Sequence, residues 1–306
     1  MFWIYIERID FIFMNTHKKI TFLGGDARQI TAARELASYG YRVSAFFGEE
    51  AKEETLFKYI SIDDALEDSD IMVLPLPASV DGVLLNAPFF GGERISLLKI
   101  ADVITEKKTV IGGRIPENIV QALLVKGVFV IDYFKSEAFQ IENAYTTSEA
   151  ALSIAMNNLK KNIRGSQFAI TGYGRIARTL TELLLKLGAR VCVLARKESD
   201  LAWARLVGAS TMRIEPQSIE SLSRGYDIIF NTVPSWLFFE SFLSVLDKNT
   251  LIIDLASSPG GVDVSAAKKL SSKVLWASSL PGKYAPESAG KLIANCIRDI
   301  ISEVDK

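Results

Sequence analysis

The segment AITGYGRIARTLTELLLKLGARV, residues 169–191, decides the fold. An apolar strand runs into a glycine turn, and a helix of about four turns follows. Gly188 stands at the helix end, where a left-handed cap favours glycine, and a second strand begins at Arg190. The segment FLGGDARQITAARELASYGYRV, residues 22–43, repeats this plan at an offset of 148 residues. Gly24 falls on Gly172, Gly40 on Gly188, Arg42 on Arg190 and Val43 on Val191. A unit repeated in this way predicts two α/β halves of similar design.

Further apolar runs extend both halves. Residues 71–76, 109–113 and 128–131 read as buried strands of the first, and 167–171, 190–194, 226–230, 250–254 and 274–276 as strands of the second. Helical patterns lie between them, as parallel sheets require. The expected fold class is α/β, with two Rossmann-like doubly wound parallel-sheet domains facing a cleft. A long helix over 146–163 joins them, and a C-terminal helix packs back on the first domain. The expected boundaries are an extension at 1–17, a first domain at 18–145, a second at 164–284 and a final helix within 285–306.

Composition excludes several classes. Of 306 residues, 49% are hydrophobic and 23% charged, and the formal net charge is −1, which offers no basic footprint for nucleic acid and no polybasic membrane patch. Cys192 and Cys296 fall in apolar strand and helix patterns, as small buried hydrophobes of a reduced, cytoplasmic protein. Residues 1–14 are apolar but broken by Glu7, Arg8 and Asp10. They are too short and charged to span a bilayer and lack a signal-peptide cleavage site; the expectation is an upstream start with Met14 as the working initiator, the alternative a short extension packing on the surface.

The second turn has the form Gly172-x-Gly174-x-x-Ala177. The first glycine permits the tight turn, the second lets a pyrophosphate approach, and the small third residue lets helix and strand pack closely. Backbone groups of Arg175, Ile176 and Ala177 then receive phosphate at the positive helix end. The next strand ends in Ala195, Arg196 and Lys197, without the acid that binds a ribose 2′-hydroxyl in NAD sites. Arg196 and Lys197 instead suit a 2′-phosphate, and NADP is the expected cofactor. Two loops at strand carboxyl ends, Asn231-Thr232-Val233-Pro234 and Ala256-Ser257, are expected to contact its nicotinamide half, with Asn231 and Thr232 equally suited to capping the following segment. Asp254 reads as a structural cap.

The first turn departs at one position: Asp26 falls on Gly174. A carboxylate there opposes phosphate by roughly 4 kcal/mol for unit charges 4 Å apart at an effective dielectric of 20. The first copy is therefore expected to keep the fold without the dinucleotide site. Asp26 caps its helix or meets substrate, with Arg28 and Gln29 one turn on.

The single histidine, His17, precedes the first strand and is badly placed for proton relay. No Cys/His cluster offers a metal site, and no GxSxG elbow serves acyl transfer. Hydride transfer needing little acid–base help fits this inventory.

GGDARQ at 24–29, GYGRIA at 172–177, LPLPAS at 74–79, DLASSPGGVD at 254–263 and LPGKYAPESAGKLIAN at 280–295 together resemble the A-subunit family of dipicolinate synthase from endospore-forming bacteria. The resemblance runs from about residue 18 to the final helix, leaving residues 1–17 outside it; Ala150, where the family leads one to expect glycine, departs from it. It implies NADP-linked oxidation of a dihydrodipicolinate-type lysine-pathway intermediate to pyridine-2,6-dicarboxylate. It also implies an oligomeric assembly with a second, flavoprotein-like chain, the dipicolinate synthase B-subunit, in the mother-cell cytoplasm during sporulation. Aromatisation of the ring supplies driving force, so the protein's task is positioning. A dicarboxylate calls for cationic donors: Arg28, Arg114 and Lys283, with Tyr284 as proton donor or acceptor and Asp26, Ser79, Asp81 and Ser288 as polar contacts. Two other readings stay open: an NADP-linked dehydrogenase of another small carboxylic acid, and a non-catalytic cofactor-binding scaffold.

Overall fold

In the computed structural model, residues 18–49, 51 and 55–304 are described. The expectations for His17, Met14 and the 1–17 extension lie outside these residues. The chain divides into two compact units, one running to Gln140 and resuming at Pro286, the other spanning Ile141–Ala285.

Unit 1 contains β1 (Lys19–Leu23), α1 (Ala27–Ser38), β2 (Arg42–Phe46), β3 (Phe57–Lys58), α2 (Ile62–Glu67), β4 (Ile71–Val73), α3 (Leu97–Val103), β5 (Thr109–Gly112), α4 (Glu117–Val125) and β6 (Phe129–Asp132). Its sheet order is β3-β2-β1-β4-β5-β6, parallel throughout. A helix, α5 (Glu137–Asn158), carries the chain into unit 2.

Unit 2 contains β7 (Gln167–Thr171), α6 (Arg175–Lys186), β8 (Arg190–Ala195), α7 (Glu198–Leu206), β9 (Ser210–Arg213), α8 (Pro216–Ser221), β10 (Ile228–Asn231), α9 (Glu240–Val245), β11 (Leu251–Asp254), α10 (Val264–Lys269), β12 (Val274–Trp276) and α11 (Leu280–Tyr284). Its order, β12-β11-β10-β7-β8-β9, is the same plan read from the other edge. In both sheets the order reverses beside the first strand, which creates the crevice where open α/β sheets bind ligands. The correspondence extends to single bonds: Gly24 N donates to Phe46 O and Gly172 N to Leu194 O, both at 2.7 Å.

Each sheet is buried on both faces. Val191, Val193 and Ala195 of β8 join one core with α6 and α7, while Cys192 and Leu194 join the opposite one. Alternation through a two-sided core is what makes these strands continuous apolar runs. Edge strands are more exposed: Phe129 in β6 and Leu275 and Trp276 in β12 face solvent, so the 128–131 run is less buried than expected. The 71–76 run ends its strand at Val73, because Pro75 and Pro77 have no N–H for the ladder. The helix expected over 146–163 starts earlier and stops at Asn158.

The final helix, α12 (Pro286–Val304), returns to unit 1 and lies along α1. Ile293, Ala294, Ile297 and Ile301 enter the unit 1 core. Gly290 makes the close approach possible: a Cβ there would stand 2.5 Å from Thr31 Cβ and 2.6 Å from the Arg28 carbonyl oxygen.

Candidate functional site

The turn after β7 is built to receive something. Gly172 has φ +89°, and a Cβ there would meet Thr232 Oγ1 at 2.4 Å, so both backbone and packing require glycine. Gly174 differs. It caps α6 in an extended conformation any residue adopts (φ −79°, ψ −168°), and a Cβ there meets nothing within 4 Å. Its lack of a side chain serves open space, not the protein's own packing. No side chain caps α6, and no acid occupies its first turn. Ala177, fully buried, closes the helix onto the sheet. Open space before an uncapped helix N-terminus fits a pyrophosphate.

Beyond β8, Arg196 and Lys197 are exposed. The acids that follow are occupied elsewhere: Glu198 pairs with Arg205 at 2.6 Å and Asp200 with Arg178 at 3.2 Å. The strand end is therefore left locally basic, which fits a 2′-phosphate.

The loops after β10 and β11 hold a correction. Asn231 is fully buried, and its amide is spent inside the protein. Its Oδ1 accepts from Thr171 Oγ1 at 2.6 Å, and its Nδ2 donates to Asp254 Oδ1 at 2.8 Å and to Val233 O at 3.0 Å. Asp254 in turn accepts from Ala256 N at 3.1 Å and Gly261 N at 2.8 Å. Asn231, expected to touch cofactor, is instead a latch between the two loops, and Asp254 is its partner. Ala256 is buried beneath, and Thr232 Oγ1 donates to Thr171 O at 2.7 Å. Val233, Pro234 and Ser257 remain accessible.

In unit 1 the equivalent turn is filled. Asp26 caps α1, accepting from Arg28 N at 3.0 Å, and grips the Arg28 guanidinium at 2.8–3.2 Å. Arg28 is buried and also donates to Leu76 O. Its charge is thus matched by Asp26, which takes the capping role that was one of its two expected roles. The chain's own Asn86 completes the blockade. Gly25 N donates to Asn86 O at 2.7 Å, and a Cβ on Gly24 would meet that oxygen at 2.9 Å. Sequence reasoning missed Asn86, because nothing local signals that a loop sixty-odd residues on folds over the turn.

Ser79 and Asp81 also serve their own loop. Ser79 Oγ donates to Asp81 Oδ1, which accepts from Leu84 N at 2.8 Å and Val83 N at 2.9 Å. These N–H groups, Leu84 first, hold the Asp81 carboxyl down at about 2. A carboxylate satisfied in this way is a turn device and does not attract a dicarboxylate. Tyr133, another residue without a sequence signal, is buried beside Gly113, and burial pushes its phenol well up. Its hydroxyl and Gln29 Oε1 are buried without a hydrogen-bond partner among the described residues, while Gln29 Nε2 donates to Leu74 O at 3.1 Å.

The remaining candidates are accessible. Arg114 adopts φ +54°, donates its N–H to Asp132 Oδ1 at 3.0 Å and sets its guanidinium 4.8 Å over the Phe134 ring. That arrangement pre-orients an exposed cation. Lys283 and Tyr284, in α11 of unit 2, and Ser288, in the first turn of α12, are exposed. No group of three or more potential metal ligands occurs among the described residues, and no described helix is long and apolar enough to cross a membrane.

Residues 19–134 match the family described as the N-terminal domain of the dipicolinate synthase A-subunit. Over 298 residues the chain is 31% identical to the dipicolinate synthase A-subunit of Bacillus subtilis (strain 168), covering 95% of this chain and 98% of that protein. The crystal structure of the corresponding A-subunit from Bacillus halodurans superposes with a TM-score of 0.83 at 25% identity, covering 94% of this chain and 99% of that one. A transhydrogenase from Sinorhizobium meliloti shares the fold alone, with a TM-score of 0.66 at 14% identity over 93% of this chain and 94% of that one.

Proposed function

The chain belongs to the A-subunit family of dipicolinate synthase, and from that premise we propose that it oxidises a dihydrodipicolinate-type intermediate to dipicolinate using NADP in unit 2. The observation that carries this reading is the contrast between the two turns. Gly174 opens onto space before an uncapped helix, whereas the matching turn in unit 1 is closed by Asp26 and Asn86. When bound, NADP⁺ supplies the hydride acceptor. The chain's own residues bind and orient: the first turn of α6 receives pyrophosphate, and Arg196 with Lys197 receives the 2′-phosphate. Within unit 2, Lys283 is assigned to a substrate carboxylate and Tyr284 to the departing proton, both being accessible. Asp26, Arg28, Ser79 and Asp81 are assigned to holding the unit 1 loops. The second, B-type chain that the family name implies completes a cytoplasmic complex formed during sporulation.

The test is dipicolinate formation from freshly generated lysine-pathway intermediate, with and without NADP⁺, by the chain alone and with its partner. NADP⁺-dependent product supports the reading. Product that ignores NADP⁺ and needs only the partner leaves this chain a scaffold.

A further inference from the structure

The NADP reading, on which this inference rests, assigns the 2′-phosphate to Arg196 and Lys197. The sheet places a third cation beside them. β8 and β9 pair in parallel register with Ala195 opposite Arg213, and Ile214 N closes the ladder on Ala195 O at 3.0 Å. Ala195 stands where an NAD site carries its ribose-binding acid. Arg213 is thus one strand spacing, about 4.8 Å, from that position. Paired residues of parallel strands share a sheet face, and Ala195 belongs to the core that also takes Ala177 of α6. Arg213 therefore lies at the same edge and on the same face as the helix whose N-terminus suits the pyrophosphate.

Its surroundings leave it available. Arg213 is 66% exposed, and its ion pair with Glu215 runs from Nε at a long 3.9 Å, with Glu215 itself 58% exposed. Such a contact between solvated side chains is weak, and a phosphate can draw the guanidinium fork away from it. The other acids near this strand end, Glu198 and Asp200, are neutralised by Arg205 and Arg178. Three cations thus face one loosely held carboxylate at the carboxyl edge of β8 and β9.

We infer that Arg213 is a specificity-determining residue, closing the ribose 2′-phosphate site from the edge strand while Arg196 and Lys197 close it from β8. A planar guanidinium suits this task because it offers two parallel N–H bonds to one phosphate.

The test is calorimetric binding of 2′,5′-ADP, NADP⁺ and NAD⁺ to the full chain and to Arg213→Gln. The expected result is about a tenfold loss for 2′,5′-ADP and NADP⁺, the scale of one charge-assisted hydrogen-bond partner, with NAD⁺ affinity unchanged. Unchanged NAD⁺ affinity also reports that the variant is folded. Arg213→Lys should fall between the two, keeping charge and losing the fork. If the parent chain prefers NADP⁺ and Arg213→Gln binds 2′,5′-ADP as well as the parent, the assignment of Arg213 is overturned and the NADP reading stands. If the parent binds NADP⁺ no better than NAD⁺, the NADP reading fails and this inference fails with it.

Discussion

Replacing Gly174 with Asp separates cofactor binding from folding, because the two effects have opposite signs there. The backbone is extended and the Cβ enters open space, so the fold tolerates any side chain. Unit 1 contains the outcome already: Asp26, at the matching position, caps α1 through Arg28 N. Asp at 174 should likewise cap α6, where no side chain does so now. Relative to a glycine cap this is worth a few tenths of a kcal/mol, about 0.3 in favour of the variant. For the ligand the same carboxylate opposes a pyrophosphate charge at close range. At 4 Å and an effective dielectric of 20 this costs roughly 4 kcal/mol, about a thousandfold in Kd. The assay is NADPH binding by fluorescence alongside urea denaturation. The expected pair of results is binding lost by about three decades with stability equal or slightly higher. Retained binding would show that pyrophosphate does not lie at Gly174, and loss of stability would show that the glycine serves packing.

Three further outcomes follow from the geometry. Asp26→Ala removes the α1 cap and the partner of a buried guanidinium; Asp26 is 32% exposed, so water replaces part of what is lost, and urea denaturation should show a loss of about 2–3 kcal/mol. Gly290→Val forces side-chain atoms into Thr31 and the α1 backbone, and should cost about 1–3 kcal/mol or detach α12, read as a lower melting temperature. The Asp81 carboxyl is held at about 2 by backbone N–H groups, below its unfolded value near 3.9. Its contribution is therefore complete above about pH 4 and is lost as pH falls toward 2, so the stability gap between the parent and Asp81→Asn should narrow in urea titrations from pH 5 to pH 3.

The two glycine turns made the doubly wound plan legible: in the second, Gly172 and Ala177 answer steric demands of the turn and of helix–strand packing, while Gly174 keeps the space before α6 open. The same local logic found the final helix within 285–306, whose apolar spacing needed a surface to cover. What escaped was whatever depends on long-range neighbours. β3 is two residues long and β9 is a half-exposed edge strand, so neither has the apolar run that marks a buried strand. Asn231 reads as a loop residue and proves fully buried because Asp254 and Thr171 converge on it. Arg28 looked like a substrate clamp because no sequence pattern reveals that Asp26 turns back to hold it. Arg213 gained significance only through its register with Ala195.

In the proposed reaction, hydride passes from the substrate to NADP held in unit 2. The most direct test is to follow the parent chain, its partner and freshly generated intermediate, counting NADPH and dipicolinate formed in the same reaction. One NADPH for each dipicolinate is expected, with both absent in Gly174→Asp. Dipicolinate accumulating without NADPH, or undiminished in Gly174→Asp, would contradict it.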